Sequence, residues 1–210
     1  MTLLPALHVD DACIVVAKPA GLLAVPGRGE HMQDCVSARV QAAWPDALVV
    51  HRLDMSTSGL MLFARGLAAQ RTLNQAFAQR EVHKRYIAVV HGCMADAQGE
   101  INLPLAPDWP NRPLQKVDPA LGKPSLTRYS VLAHDATAHT TRVELEPVTG
   151  RAHQLRVHLQ AIGHPVIGDA LYAPAQVRGM AARLLLHATS LQFAHPVSGA
   201  LLRIELEVPF

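Results

Sequence analysis

An acid and a strong base stand two positions apart in His51-Arg52-Leu53-Asp54-Met55-Ser56-Thr57-Ser58-Gly59-Leu60, inside an otherwise apolar stretch. Ala47-Leu48-Val49-Val50 leads in, and Leu60-Met61-Leu62-Phe63-Ala64 leads out. Both flanks have the length and the β-branched or aromatic content of short buried strands. Met55 to Gly59 is small and polar, and reads as a tight loop. Charges beside buried strands are costly unless they are paired. A carboxylate presented on a loop by rigid strands can serve as a nucleophile or a general base. The same Asp54 could instead pair with a buried arginine or cap its own turn, and the local pattern leaves these readings open.

A second constellation is Thr149-Gly150-Arg151-Ala152-His153-Gln154-Leu155-Arg156-Val157-His158. Leu155, Leu159 and Ile162 fall at i, i+4 and i+7, which predicts a helix over His153 to Ile162, stopped by Gly163 and Pro165. Arg156 borders that apolar stripe, three residues from His153 and on the same side. An arginine there could hold a carboxylate ionised and fix its direction; the alternative is an ordinary solvent-facing arginine. His153 and His158 raise the question of a metal, but five positions do not put two ligands on one helical face. No His-Glu-x-x-His run is present either, so no metal is expected.

A third is Val82-His83-Lys84-Arg85-Tyr86, a basic run ending in an aromatic. It suits phosphate contact followed by base stacking, although a tyrosine packed in a strand is equally common. Pro26-Gly27-Arg28-Gly29 and Leu121-Gly122-Lys123-Pro124-Ser125 hint at phosphate loops but lack P-loop spacing.

These groups need a scaffold. Cys13-Ile14-Val15-Val16-Ala17 predicts a strand, broken by Lys18-Pro19-Ala20-Gly21. A helix is expected over Cys35 to Ala43, capped by Asp34 and followed by Pro45. Another is expected over Leu67 to Arg80, where Leu73 and Phe77 are four apart. Tyr86 to Val90, Thr140 to Glu146 and Leu202 to Val208 read as strands, the last two with one exposed face. Residues 99 to 124 are rich in Pro and Gly and read as an extended surface excursion. Many strands with few short helices, and no regular βαβ alternation, predict a mixed, mainly antiparallel α+β fold.

The 210 residues are half hydrophobic and 17% charged, which is the composition of a folded globular chain with ample core. No apolar run approaches a membrane span. Met1-Thr2-Leu3-Leu4-Pro5 has no leader-like pattern, and the three cysteines show neither a zinc-site nor a disulfide spacing. A cytoplasmic setting is expected. The net charge of +2 does not by itself mark a nucleic-acid binder. The basic residues are mostly arginine, which suits phosphate and base contacts, but a GC-rich genome would produce the same excess.

Four blocks together resemble the RluA family of pseudouridine synthases. They are Asp11 to Leu22; His51-Arg52-Leu53-Asp54 with Thr57-Ser58-Gly59-Leu60; Lys84-Arg85-Tyr86-Ile87-Ala88; and Gly150 to His158 with Gly163-His164-Pro165-Val166-Ile167-Gly168-Asp169. They cover nearly the whole chain in the family's order. The resemblance implies a pseudouridine synthase fold and one catalytic domain over residues 1–210, without a separate amino-terminal RNA-binding domain. It implies conversion of uridine to pseudouridine in RNA, with no cofactor and no obligate protein partner. Asp54 would be the essential carboxylate, Arg156 its partner, Tyr86 the surface that stacks on uracil, and Arg52 the group that enters the RNA where the flipped base has left. Asp108-Trp109-Pro110-Asn111-Arg112-Pro113 and Arg183 to Ala188 resemble the short dual-specificity branch. The targets of that branch are uridine 746 of 23S ribosomal RNA and uridine 32 in the anticodon loop of transfer RNAs. Lys84, Arg85, Arg112, Lys116 and Lys123 are candidate RNA contacts, each of which could equally be an ordinary surface cation.

The chemistry agrees with the residues. Uracil must leave at N1, turn over and rejoin at C5, which needs an extruded nucleotide, a carboxylate and a stacking surface. Three other readings remain: a synthase for another ribosomal site, a non-catalytic RNA-binding module, and an aspartate-dependent hydrolase. The last leaves the Lys84-Arg85-Tyr86 run unexplained.

Overall fold

The computed structural model describes residues 4–210. Met1-Thr2-Leu3, part of the segment read above for a leader, lies outside the described residues. Among the described residues no helix is long and apolar enough to cross a membrane. In chain order the elements are β1 (Ala6–Val9), β2 (Cys13–Lys18), α1 (Val36–Ala43), β3 (Ala47–Val49), β4 (Ser58–Arg65), α2 (Gly66–Gln79), β5 (His83–His91) and β6 (Gln98–Asn102). There follow β7 (Leu105–Pro107), β8 (Gln115–Val117), β9 (Leu126–Asp135), β10 (Thr140–Pro147), α3 (Gln154–Ala161), α4 (Ala175–Arg178), β11 (Leu186–Ala194) and β12 (Leu201–Glu205). The fold is α+β, a mainly antiparallel sheet with flanking helices, as the sequence predicts. The chain divides into two compact units. One runs to Lys84 and resumes over Ala188–Pro209; the other holds Arg85–His187 and Phe210.

In the first unit the strand order is β1-β2-β4-β11, with β12 paired to β11 and β3 to the end of β4. β2 and β4 are antiparallel, Val15 opposite Leu62 and Lys18 opposite Gly59. Both strands are buried on both faces, which is why they read as unbroken apolar runs instead of alternating ones. The two-residue period divides their side chains between two cores. Cys13, Val15, Leu60 and Leu62 pack with Ala69 and Leu73 of α2 and with Leu191 and Phe193 of β11. Ile14, Val16, Met61 and Phe63 pack with Val36 and Val40 of α1. Asp34 is not the cap of α1. Cys35 is, with its Sγ accepting the Ala38 N–H at 3.4 Å. Asp34 lies one residue too early and instead pairs with the Arg39 guanidinium through two bonds of 2.8 and 2.7 Å.

The second unit orders its strands β5-β10-β9-β6, and Tyr86 lies opposite Leu145. The excursion expected over residues 99 to 124 is more regular than its Pro and Gly content suggests. Gln98–Asn102 is an edge strand on β9, anchored by buried Ile101. Buried Leu105 opens a small hairpin in which β7 pairs with β8. α3 begins in a buried polar network. Gln154 Oε1 accepts from the Thr149 hydroxyl (2.8 Å) and the Arg151 N–H (3.0 Å), and its Nε2 donates to Leu126 O (3.0 Å).

Candidate active site

Asp54 stands on the connection between β3 and β4, half-buried, with Leu53 buried on one side and Met55 exposed on the other. A buried cation bonds to this loop. Lys18, 1% exposed at the end of β2, donates from Nζ to Pro19 O (2.9 Å), Met55 O (2.9 Å) and Thr57 O (2.6 Å). Gly21 N–H adds a bond to Met55 O (2.8 Å), and Thr57 N–H closes the turn onto Asp54 O (3.1 Å). Gly59 then lets the chain pass close to β11. It has φ +119°, and a Cβ there would lie 2.3 Å from Ala188 O. The backbone on both sides of Asp54 is thus fixed by a charge and by a close approach, both inside the protein.

His51 closes the other end of the motif. Its ring stacks on Phe77 at 4.9 Å, and Nε2 accepts the Leu62 N–H at 2.8 Å. Burial, with the nearby charge of Lys84, pushes its pKa down to about 3. His51 is therefore neutral, with its proton on Nδ1, and serves as a fixed acceptor instead of an acid catalyst. Arg52 is exposed.

In the second unit Arg156 is 3% exposed, so it is not a surface arginine. Its Nε and Nη2 donate to Asp169 Oδ2 and Oδ1, both at 2.7 Å, and its guanidinium lies 5.0 Å from the Tyr172 ring. Asp169 is fully buried, and its Oδ1 also accepts the Leu171 and Tyr172 N–H groups. Gly168 makes that turn possible: at φ +75°, a Cβ there would lie 1.9 Å from Arg183 O. The result is a guanidinium with a fixed plane in a dry setting, where charge acts most strongly. Tyr86 is buried on β5. His153 meets the Tyr172 hydroxyl at 2.6 Å, whereas His158 lies between Thr127 Oγ1 (2.9 Å) and Leu103 O (3.0 Å). Burial lowers the pKa of His158.

The remaining cations differ in their surroundings. Arg85 is ion-paired with Glu144, and Lys116 lies 3.7 Å from Asp118. Arg112 stacks on Trp109, 4.3 Å from the ring centroid. Lys123 is exposed, and Lys84 is half-buried near His51. Asp54, Arg52 and Lys84 thus belong to the first unit, and Tyr86, Arg85, Arg112, Lys116, Lys123 and Arg156 to the second.

Among the described residues one further group has the chemistry of metal ligands. His8, Asp10 and Cys13 place donor atoms within 4.8 Å of one another. Hydrogen bonds already account for that geometry. Asp10 Oδ1 accepts the Ala12 and Cys13 N–H groups at 2.8 Å each, and Oδ2 meets His8 Nε2 at 2.6 Å and His195 Nε2 at 3.2 Å. Burial and the charge of Asp10 hold the Cys13 thiol up at about 12. The cluster braces the turn between β1 and β2.

The family described as RNA pseudouridylate synthase matches residues 12–161. The Dual-specificity RNA pseudouridine synthase RluA of Escherichia coli (strain K12) is 51% identical over 193 residues, 92% of this chain and 88% of that protein. The chain belongs to the RluA family of RNA pseudouridine synthases. It is accordingly an isomerase that acts on RNA. The proteins of the same description from Vibrio cholerae and Yersinia pestis are 52% and 48% identical, over 91% and 97% of this chain and 78% and 98% of theirs. Among solved structures, Human RNA Pseudouridylate Synthase Domain Containing 1 superposes with a TM-score of 0.81 at 29% identity, over 99% of this chain and 84% of that one.

For a pseudouridine synthase the geometry explains supports that sequence reasoning missed. Lys18 read only as part of a strand-breaking run, and Asp169 only as the end of a family block. Lys18 carried one available signal, a lysine closing a wholly apolar strand. Asp169 carried none, because its partner is thirteen positions away with a turn between.

Proposed function

We propose that the protein converts uridine to pseudouridine at position 746 of 23S ribosomal RNA and at position 32 in the anticodon loop of transfer RNAs. The observation that carries this reading is identity near 50% to relatives described as dual-specificity synthases, over about nine-tenths of this chain. In the proposed reaction Asp54 initiates cleavage of the bond between uracil N1 and ribose C1′. The base turns over, C5 bonds to C1′, the C5 proton leaves and N1 gains one. Tyr86 stacks on the flipped base, Arg156 is the electrostatic partner of Asp54, and Arg52 fills the space the base leaves. Loop uridines suit this chemistry because extrusion costs less where pairing is already absent. Lys84, Arg85, Arg112, Lys116 and Lys123 are proposed as contacts along the RNA backbone. A cytoplasmic location is part of the same proposal.

The test is release of tritium from C5-labelled ribosomal and transfer RNA transcripts, followed by mapping of the modified position. Release from both substrates, lost in Asp54→Asn, is expected. No release from either, or equal release by the variant, refutes the reading. Release mapped to another ribosomal uridine refutes the target assignment alone. Tyr86→Phe should keep more activity than Tyr86→Ala, because stacking needs the ring.

A further inference from the structure

We propose that Trp109 and Arg112 form a second stacking platform, which takes an unpaired nucleobase of the substrate RNA other than the reacting uridine. The proposal rests on the RNA-modifying reading above and adds a binding site to it. Trp109 is 62% exposed at the tip of the segment joining β7 to β8. At that exposure most of the indole surface is left open to a stacking partner. The Arg112 guanidinium lies 4.3 Å from its ring centroid, and Arg112 Nε donates to Trp109 O at 3.4 Å. The indole is thus held beside a cation, and a planar guanidinium can itself stack on a base or meet a phosphate.

The local charge favours an anionic partner. The two acids of the segment are engaged in its turns. Asp108 Oδ2 accepts from Asn111 Nδ2 at 2.9 Å, and Asp118 Oδ1 accepts the Ala120 and Leu121 N–H groups at 3.2 and 3.0 Å. Arg112 and Lys123 remain exposed, Lys116 is exposed with its Nζ 3.7 Å from Asp118 Oδ2, and Arg151 adds its guanidinium beside Pro124 O at 3.4 Å. Aromatic ring plus surrounding cations is the composition that binds single-stranded nucleic acid through bases and backbone together. A protein partner would call for a broader apolar patch, and the residues around Trp109 are Pro110, Asn111, Arg112 and Pro113, all exposed.

The hairpin is also tied to Arg156. Gln115 N–H at the start of β8 donates to the Tyr172 hydroxyl at 2.9 Å, and the Tyr172 ring lies against the Arg156 guanidinium. A base on Trp109 would therefore be registered to the group held by Asp169, so the platform would place the RNA as well as hold it.

The test uses full-length protein and a synthetic stem–loop RNA carrying a loop uridine. Trp44 is the second of the two tryptophans and is partly buried against the α1 core. In a Trp44→Phe background, emission reports Trp109 alone. Stacking predicts strong quenching on RNA addition. It also predicts a rise in KM of about tenfold or more for Trp109→Ala in tritium release, with kcat within about twofold. Trp109→Phe should recover most of the loss. Trp109→Leu should not, because it keeps apolar area without a π-face. Unchanged emission when a mobility shift shows RNA bound overturns the platform, as do a wild-type KM in Trp109→Ala and full recovery by leucine. The activity reading fails separately: RNA that quenches Trp109 but yields no tritium refutes catalysis and leaves the platform standing. Failure to bind RNA at all overturns both.

Discussion

Lys18 offers the sharpest test of how the Asp54 loop is held. In Lys18→Met the stem keeps its length and its apolar contacts, and only the ammonium goes. Three charge-assisted bonds are lost, each contributing about 1.5–3 kcal/mol. Met55 O retains the Gly21 N–H, but Pro19 O and Thr57 O lose their ammonium donor. Against this, the variant is spared the cost of burying a charge, roughly several kcal/mol. The balance is a net destabilisation of about 2–4 kcal/mol, read as a lower urea midpoint at unchanged slope. The functional effect is separate from the stability effect and is read on protein that is still folded. Displacement of a catalytic carboxylate by about 1 Å costs on the order of 100-fold in rate. At a temperature where both proteins are folded, kcat in tritium release should fall about 10- to 100-fold, with a much smaller change in KM. Lys18→Arg should not restore it, because a planar fork does not fit a cage built for a compact ammonium. A Lys18→Met protein with wild-type kcat and a stability loss under about 1 kcal/mol would refute the reasoning.

Three other outcomes follow from the same geometry. Asp169→Asn removes the counter-charge of the buried Arg156 guanidinium and turns one of its two acceptors into a donor, and should cost about 3–5 kcal/mol by urea unfolding and lower kcat as well. Gly59→Ala forces a Cβ into the Ala188 backbone at a positive φ, and should cost at least about 3 kcal/mol, seen as a depressed melting temperature. His51 sets a pH dependence. Its folded pKa of about 3 lies below the ordinary 6.5, so between these values the unfolded chain binds a proton that the folded chain does not. Its contribution is complete above pH 6.5 and is lost as pH falls, at about 1.4 kcal/mol per unit. Urea midpoints from pH 7 to pH 5 should fall less steeply in His51→Gln than in the wild type; parallel curves would show that the histidine is not the source.

The strands and helices that carry the site were legible because their patterns are local. The apolar runs of β2 and β4 and the four-residue spacing on α2 are set by burial, and burial selects residue type directly. Asp54 was legible as an oddity, a charge between two such runs. What was not legible depends on contacts remote in sequence. Lys18 looks like the end of a strand until Met55 and Thr57 are seen around its ammonium, thirty-seven and thirty-nine residues away. Arg156 could be placed at the border of an apolar stripe, but only the pairing with Asp169 shows it to be buried. The cap of α1 was misassigned by one residue, because a cysteine Sγ was not weighed as an acceptor against a neighbouring carboxylate. The hairpin of β7 and β8 was hidden by prolines, which here flank short paired stretches.

Lys18 and Asp169 answer one physical problem with opposite charges. A group that acts on RNA must be near water to meet its substrate, yet loops near water are the parts of a fold that wander most. In the first unit the loop that presents Asp54 is tied down from behind by a buried cation bonded to its carbonyls. In the second, the plane of Arg156 is fixed by a buried anion that is itself held by backbone N–H groups. In each case the support is an ion that water cannot reach, so releasing it would leave an uncompensated charge inside the protein. That penalty makes the supporting geometry costly to break. In the proposed mechanism one carboxylate is held still while a detached uracil turns over, and such stiffness serves that step directly. It follows that substitutions at Lys18 and Asp169 should lower kcat more than they weaken RNA binding, although neither residue needs to touch the RNA.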